Sequence, residues 1–189
     1  MNERELGRGI VHILFGIAFV ILIIFDLLKV WHLAVLVSVA LILAFLSREI
    51  RVPLVSFFLH NFERRDARLP GKNFIFFLAG ILLAFALFPK DVCLASIAIL
   101  TFADPVSHFI GENFGRISIF GKNIEGHLAG FIAGSLFAIM FVKPLLAFIG
   151  CFFGVLAELI TIKIQEVKID DDLVIPVVAG LAMVLAGFL

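Results

Sequence analysis

The sequence predicts an all-α protein, a polytopic membrane bundle of about seven transmembrane helices folded as one integral membrane domain over residues 1–189. Three observations carry this. Hydrophobic residues make up 62% of the chain against 16% charged, and mean hydropathy is +1.18, far above a globular mixture of about half apolar residues. Spanning a bilayer takes about 20 apolar residues in a helix, and such stretches lie near residues 9–27, 30–47, 73–89, 91–112, 124–142, 144–163 and 173–189. Finally, the basic residues divide by connection. Arg4, Arg8, Arg48, Arg51, Arg64, Arg65, Arg68, Lys72, Arg116, Lys122, Lys163 and Lys168 fall on one side of the bundle, and only Lys29, Lys90 and Lys143 on the other. The positive-inside rule then sets the N-terminus and the long polar loops in the cytoplasm, at the cell membrane, with the C-terminus outside.

The first span follows basic residues in MNERELGRGIVHILFGIAFVILIIF. Its apolar run is long for a signal core and no small-residue cleavage site follows, so it reads as a retained helix. His12, alone on its apolar face, reads first as a packing residue. The connections after spans one, three and five are tight, marked by Asp26 and Lys29, by Pro89-Lys90-Asp91, and by Lys143-Pro144. Between spans two and three, VPLVSFFLHNFERRDARLPG starts apolar and ends basic, as an interfacial helix does. Arg64, Arg65 and Arg68 there serve as an orientation signal or as phosphate contacts.

The fourth span runs into TFADPVSHFIGENFGR. Asp104, His108 and Glu112 recur every four residues and share one helical face, while Gly111 and Gly115 form a bare ladder that a backbone or ligand can approach. Pro105 lacks a backbone donor and suits a first helical turn, so a break in the helix near Asp104 is expected, with Asp104 capping the new segment. A carboxylate this close to lipid costs roughly 2.5–3.5 kcal/mol on insertion scales, which argues for a function.

The next connection, RISIFGKNIEGHLAGFIAG, supplies Arg116, Lys122 and Glu125. Lys122 before a helix start resembles an anion site, without the spacing of a P-loop. Gly126, Gly130 and Gly134 fit close helix packing. Glu158 sits at membrane depth in GVLAELITIKI and calls for a partner, Lys122 or a bound cation. Before the last span, Asp170, Asp171 and Asp172 repel one another unless solvent or a divalent ion neutralises them, and clustered carboxylates suit Mg²⁺. Cys93 and Cys151 have no partner at metal-ligand spacing and read as small buried hydrophobes. With 15 basic and 15 acidic residues the formal charge is zero, which gives no reason to expect nucleic acid as a partner.

Four segments, RGIVHILFG, ADPVSHFIGENFGR, GKNIEGHLAGFIAG and IDDDLVIPVVAG, together resemble the CTP-dependent lipid kinases, the family of dolichol kinase, phytol kinase and CTP-using diacylglycerol kinase. In that family the first aspartate motif usually follows a glycine, where this chain has Ala103; the lysine motif usually continues with threonine, here Asn123; and the last motif usually has asparagine where Asp172 stands. The resemblance implies transfer of the γ-phosphate of CTP to the hydroxyl of a membrane lipid alcohol, a polyprenol or dolichol type first, with diacylglycerol as the alternative acceptor. It carries Asp104, Gly111, Gly115, Lys122, Glu125, Gly126, Asp170, Asp171 and Asp172 into the expected site.

On this reading Asp104, Asp171 and Asp170 hold Mg²⁺, and Lys122 and Arg116 grip the phosphates. Gly111, Gly115, Gly126 and Asp172 flank the nucleotide, and His12, His108 and Arg68 lie near lipid or phosphate. Glu125, Glu158 or Asp104 is the general base. Phosphoryl transfer asks chiefly for positioning and charge neutralisation, which these residue types supply. Two other readings compete: a different cytidine-nucleotide lipid enzyme, and a lipid transporter or flippase with interrupted helices.

Overall fold

The computed structural model describes residues 3–47, 71–119, 122–159, 163–164, 167–168 and 170–188. Among these the chain is all-helical apart from two minimal ladders. Its elements in order are α1 (Glu3–Ile24), α2 (Val30–Leu46), α3 (Lys72–Leu87), α4 (Lys90–Phe114), β1 (Ser118–Ile119), β2 (Lys122–Asn123), α5 (Ile124–Ala138), α6 (Pro144–Leu159), β3 (Lys163–Ile164), β4 (Val167–Lys168) and α7 (Asp171–Gly187). The expected interfacial segment between spans two and three, with Arg68, lies outside the described residues.

α4 is the central element. Residues 92–101 are buried without interruption, the pattern of a helix covered on every side, and α1, α3, α5, α6 and α7 all pack on it. α2 is peripheral and leans on α3. The closest seam joins α4 to α5. Side chains are absent there at Gly126 and Gly130, and a Cβ at either would run into the Ser107 or Ala103 carbonyl of α4. The spacing of these glycines therefore fixes how near the two backbones lie.

One expectation is corrected. α4 does not break near Asp104: it runs through Pro105 for 25 residues. A proline inside a helix removes one backbone donor, here the one that would serve Thr101, but packing on several sides holds the continuous form, and a Cβ added at Gly9 of α1 would come within 3.7 Å of Pro105. Asp104 thus projects from the body of a helix and is not a cap. The all-α expectation holds, and the connections add two antiparallel ladders of two residue pairs each, Ser118↔Asn123 with Ile119↔Lys122, and Lys163↔Lys168 with Ile164↔Val167. Each sits in a polar connection between two helices.

Among the described residues, only α1, through its segment Glu5–Ile24, and α4 are long and apolar enough to cross a bilayer by themselves. The others have 15 to 17 residues, roughly 22–26 Å at 1.5 Å per residue. Their outward faces are nonetheless apolar: Leu14, Trp31, Leu128, Leu136 and Phe152 are all more than half exposed. At the end away from the polar connections, Lys90 at the start of α4 ties down the turn after α1, with its ammonium 2.7 Å from Asp26 and 3.1 Å from the Ile24 carbonyl. Both cysteines are free and buried.

Candidate functional site

The polar residues converge at the opposite end. They come from the third turn of α1 (His12), the second half of α4 (Asp104), β2 (Lys122), the first turn of α5 (His127), the last turn of α6 (Glu158) and the first turn of α7 (Asp171 and Asp172). The up-and-down course of the helices brings these separate chain segments together.

Lys122 links two of them. Its Nζ lies 3.1 Å from Glu158 Oε1 and 3.2 Å from Asp171 Oδ2, and it also donates to the Glu158 backbone carbonyl. The ladder with β1 leaves α5 to start at Ile124, whose N–H is taken by the Ile117 carbonyl at 3.0 Å. The lysine therefore faces carboxylates and not the amides of a helix start. Burial pulls its ammonium down, but the Glu158 and Asp171 carboxylates outweigh this and hold it above the usual lysine range.

Glu158 is 2% exposed. His127, which sequence reasoning did not single out, approaches it with Nε2 at 3.4 Å while Nδ1 lies 2.8 Å from the Asn123 carbonyl. The contact to Glu158 is an ion-pair distance with poor hydrogen-bond alignment, and both His127 Nε2 and Glu158 Oε2 are buried without a hydrogen-bond partner among the described residues. The available signal was His127 four residues past Asn123, on the helical face that turns back to the lysine strand.

Each of the three consecutive acids goes a different way. Asp170 is the N-cap of α7 and accepts from Asp172 N–H, with Lys72 at 4.0 Å; its carboxylate is occupied over the helix start and does not join the groups of converging ligand atoms. Asp171 faces Lys122. Asp172 faces His12, with 3.6 Å between Oδ1 and Nδ1. Gly80 sets this geometry, because a Cβ there would collide with the Asp172 carbonyl.

Ligand atoms of Asp104, Glu158 and Asp171 lie within 4.8 Å of one another, as do those of His12, Asp104 and Asp172. The first group is all oxygen, the donor set hard Mg²⁺ prefers, and the unpaired Glu158 Oε2 leaves a buried acceptor for a cation or a proton. The residues present therefore fit a divalent ion.

Other expected residues lie elsewhere. His108 Nε2 is 3.9 Å from Asp104, and Glu112 is exposed. The bare ladder of Gly111 and Gly115 meets protein, with Asn123 filling the space beside both and donating to the Gly111 carbonyl at 2.6 Å. Gly126 is likewise spent on the α4 contact. Glu125 accepts the backbone N–H groups of Arg116 and Ile117, each at 3.1 Å, so it braces the connection. With Asn113, Phe114, Gly115 and Arg116 it lines an open cavity of about 500 Å³.

Fold and site together define an all-helical protein with a buried carboxylate, lysine and histidine cluster at one end of its bundle. The uncharacterized protein MJ1137 of Methanocaldococcus jannaschii is 33% identical over 183 residues, covering 94% of this chain and 91% of that protein. The chain belongs to the family of that archaeal protein. No protein-family model and no solved structure matches it significantly.

Proposed function

We propose that the chain is a multi-pass membrane enzyme that transfers the γ-phosphate of CTP to a lipid alcohol of the polyprenol type. The observation that supports this most is the meeting of Asp104, Glu158 and Asp171, from three helices, around one lysine. Carboxylates for a cation, an ammonium for phosphate oxygens and a free buried carboxylate oxygen are the groups phosphoryl transfer to an alcohol uses.

Asp104 and Asp171 hold Mg²⁺, which when bound neutralises charge developing on the phosphate oxygens. Lys122 exchanges part of its carboxylate contact for the γ-phosphate. Arg116, on the rim of the cavity that Glu125 and Gly115 also line, takes the outer phosphates. Glu158 is the general base: Oε2 accepts the hydroxyl proton, the lipid oxygen bonds to the γ-phosphorus, and the bond to the β-phosphate oxygen breaks to release CDP. Glu125 is bound to two backbone amides and orients the loop that carries Arg116.

The exposed apolar faces of the outer helices favour lipid as their surroundings, since soluble monomers rarely expose contiguous apolar patches beyond a few hundred Å². All seven described helices span the bilayer, the shorter ones with local thinning, and the cluster lies at the cytoplasmic face.

The test offers the purified chain, in lipid nanodiscs with Mg²⁺, CTP labelled at the γ-position and polyprenols, short isoprenoid alcohols or diacylglycerol in parallel. Label in a polyprenyl phosphate with release of CDP is expected. Release of pyrophosphate marks a cytidylyltransferase, and phospholipid movement without nucleotide turnover marks a transporter; either outcome overturns the proposal.

A further inference from the structure

Asp104 is shared by two groups of ligand atoms, and the two differ in how their charge is met. Glu158 and Asp171 have the Lys122 ammonium at 3.1 and 3.2 Å. Asp172 has no such partner. It is 8% exposed, its carboxylate makes no hydrogen bond among the described residues, and His12 Nδ1 lies 3.6 Å from its Oδ1. A buried carboxylate without a cation in hydrogen-bond contact is costly. Asp104 adds a second negative group within 4.8 Å of both.

His12 is arranged to donate a lone pair into this group. Its Nε2 lies 3.3 Å from the Leu100 carbonyl, which only accepts, so the ring proton belongs on Nε2 and Nδ1 is left bare. Phe77 packs edge-on against the ring at 4.7 Å and fixes its plane. Metal-bound histidines show the same arrangement, with the far nitrogen donating to a carbonyl or carboxylate and the near one free for the ion.

We propose that His12, Asp104 and Asp172 form a cation seat with one nitrogen and two carboxylate donors, joined through the shared Asp104 to the all-oxygen group around Lys122. An imidazole donor shifts preference from Mg²⁺ toward first-row transition ions such as Fe²⁺ and Zn²⁺, and Mn²⁺, the weakest binder of that series, is the paramagnetic probe. The seat deepens the kinase reading, on which it rests for the catalytic meaning of Asp104 but not for its ligand set. It also gives His12 a ligand role in place of simple packing.

The test loads the full chain, in phosphatidylcholine nanodiscs without nucleotide, with Mn²⁺ and records electron spin-echo modulation. Coupling to a directly bound imidazole ¹⁴N is expected. It should vanish in His12→Gln and persist in His108→Gln and His127→Gln, and Asp172→Asn should weaken Mn²⁺ binding about tenfold or more. The unaltered chain alone is decisive if a variant does not fold: absence of nitrogen coupling overturns the seat. Coupling that survives His12→Gln overturns it as well. Nitrogen coupling without phosphate transfer keeps the seat and removes the kinase reading, whereas transfer without coupling does the reverse.

Discussion

Lys122 and Glu158 lie 36 residues apart in the chain, and their side chains meet at 3.1 Å where β2 passes the last turn of α6. Breaking a buried pair from one side leaves an uncompensated charge and costs roughly 3–5 kcal/mol. Lys122 is 21% exposed at its side chain, so the lower end applies. Lys122→Met should lower stability by about 3 kcal/mol, and adding Glu158→Gln should restore a large part of it. Thermal unfolding of the single and double variants in one detergent checks the coupling; simple additivity would show the pair is not energetically linked.

The backbone approach at Gly80 gives a mutation with a built-in control. Gly80→Ala would drive a methyl into the Asp172 carbonyl of α7, and overpacking of this kind costs about 1–3 kcal/mol. Because Asp171 and Asp172 follow that backbone, cation affinity should fall with stability. Gly187→Ala, with nothing within 4 Å of the added carbon, should change neither. Isothermal titration with Mn²⁺ beside thermal unfolding separates the two sites.

Glu125 and Glu158 were both open as bases from sequence, and their surroundings separate them. Glu125→Gln keeps an oxygen for the Arg116 and Ile117 amides and should reduce kcat less than tenfold while raising KM for CTP. Glu158→Gln removes the proton acceptor and should reduce kcat by the roughly 10²–10⁴ that general-base catalysis contributes. Reversal of that order would move the base to Glu125.

The membrane reading makes its own prediction. Leu136 and Leu145 are 65% and 70% exposed, on outer faces that only lipid or another apolar surface would cover. Expressed chain should remain with the membrane fraction through alkaline carbonate extraction. Recovery in the soluble fraction as a folded monomer would contradict it.

Much of the site was legible because charge in an apolar segment is conspicuous. Glu158 called for a partner, Lys122 or a bound cation, and the Lys122 ammonium lies 3.1 Å from it. Close helix packing at Gly126 and Gly130 was legible from glycines at four-residue spacing, though not which helix they would meet. What was not legible depends on packing. Pro105 reads locally as a break, yet neighbours on several sides keep the helix whole. Gly111 and Gly115 read as room for a nucleotide, but Asn123 returns over a ladder of two residue pairs to fill it. No residue pattern separates Asp170 from Asp171 and Asp172, since only the direction in which α7 begins decides which carboxylate caps the helix and which two enter the cluster.

The most direct measurement compares the unaltered chain with Asp104→Asn in nanodiscs containing polyprenol, Mg²⁺ and γ-labelled CTP, with folding of both verified by matching unfolding curves. The account predicts label in the lipid from the unaltered chain and none above background from Asp104→Asn. Equal transfer by the two proteins would remove Asp104 from the reaction, and with it the convergence on which the proposed chemistry stands.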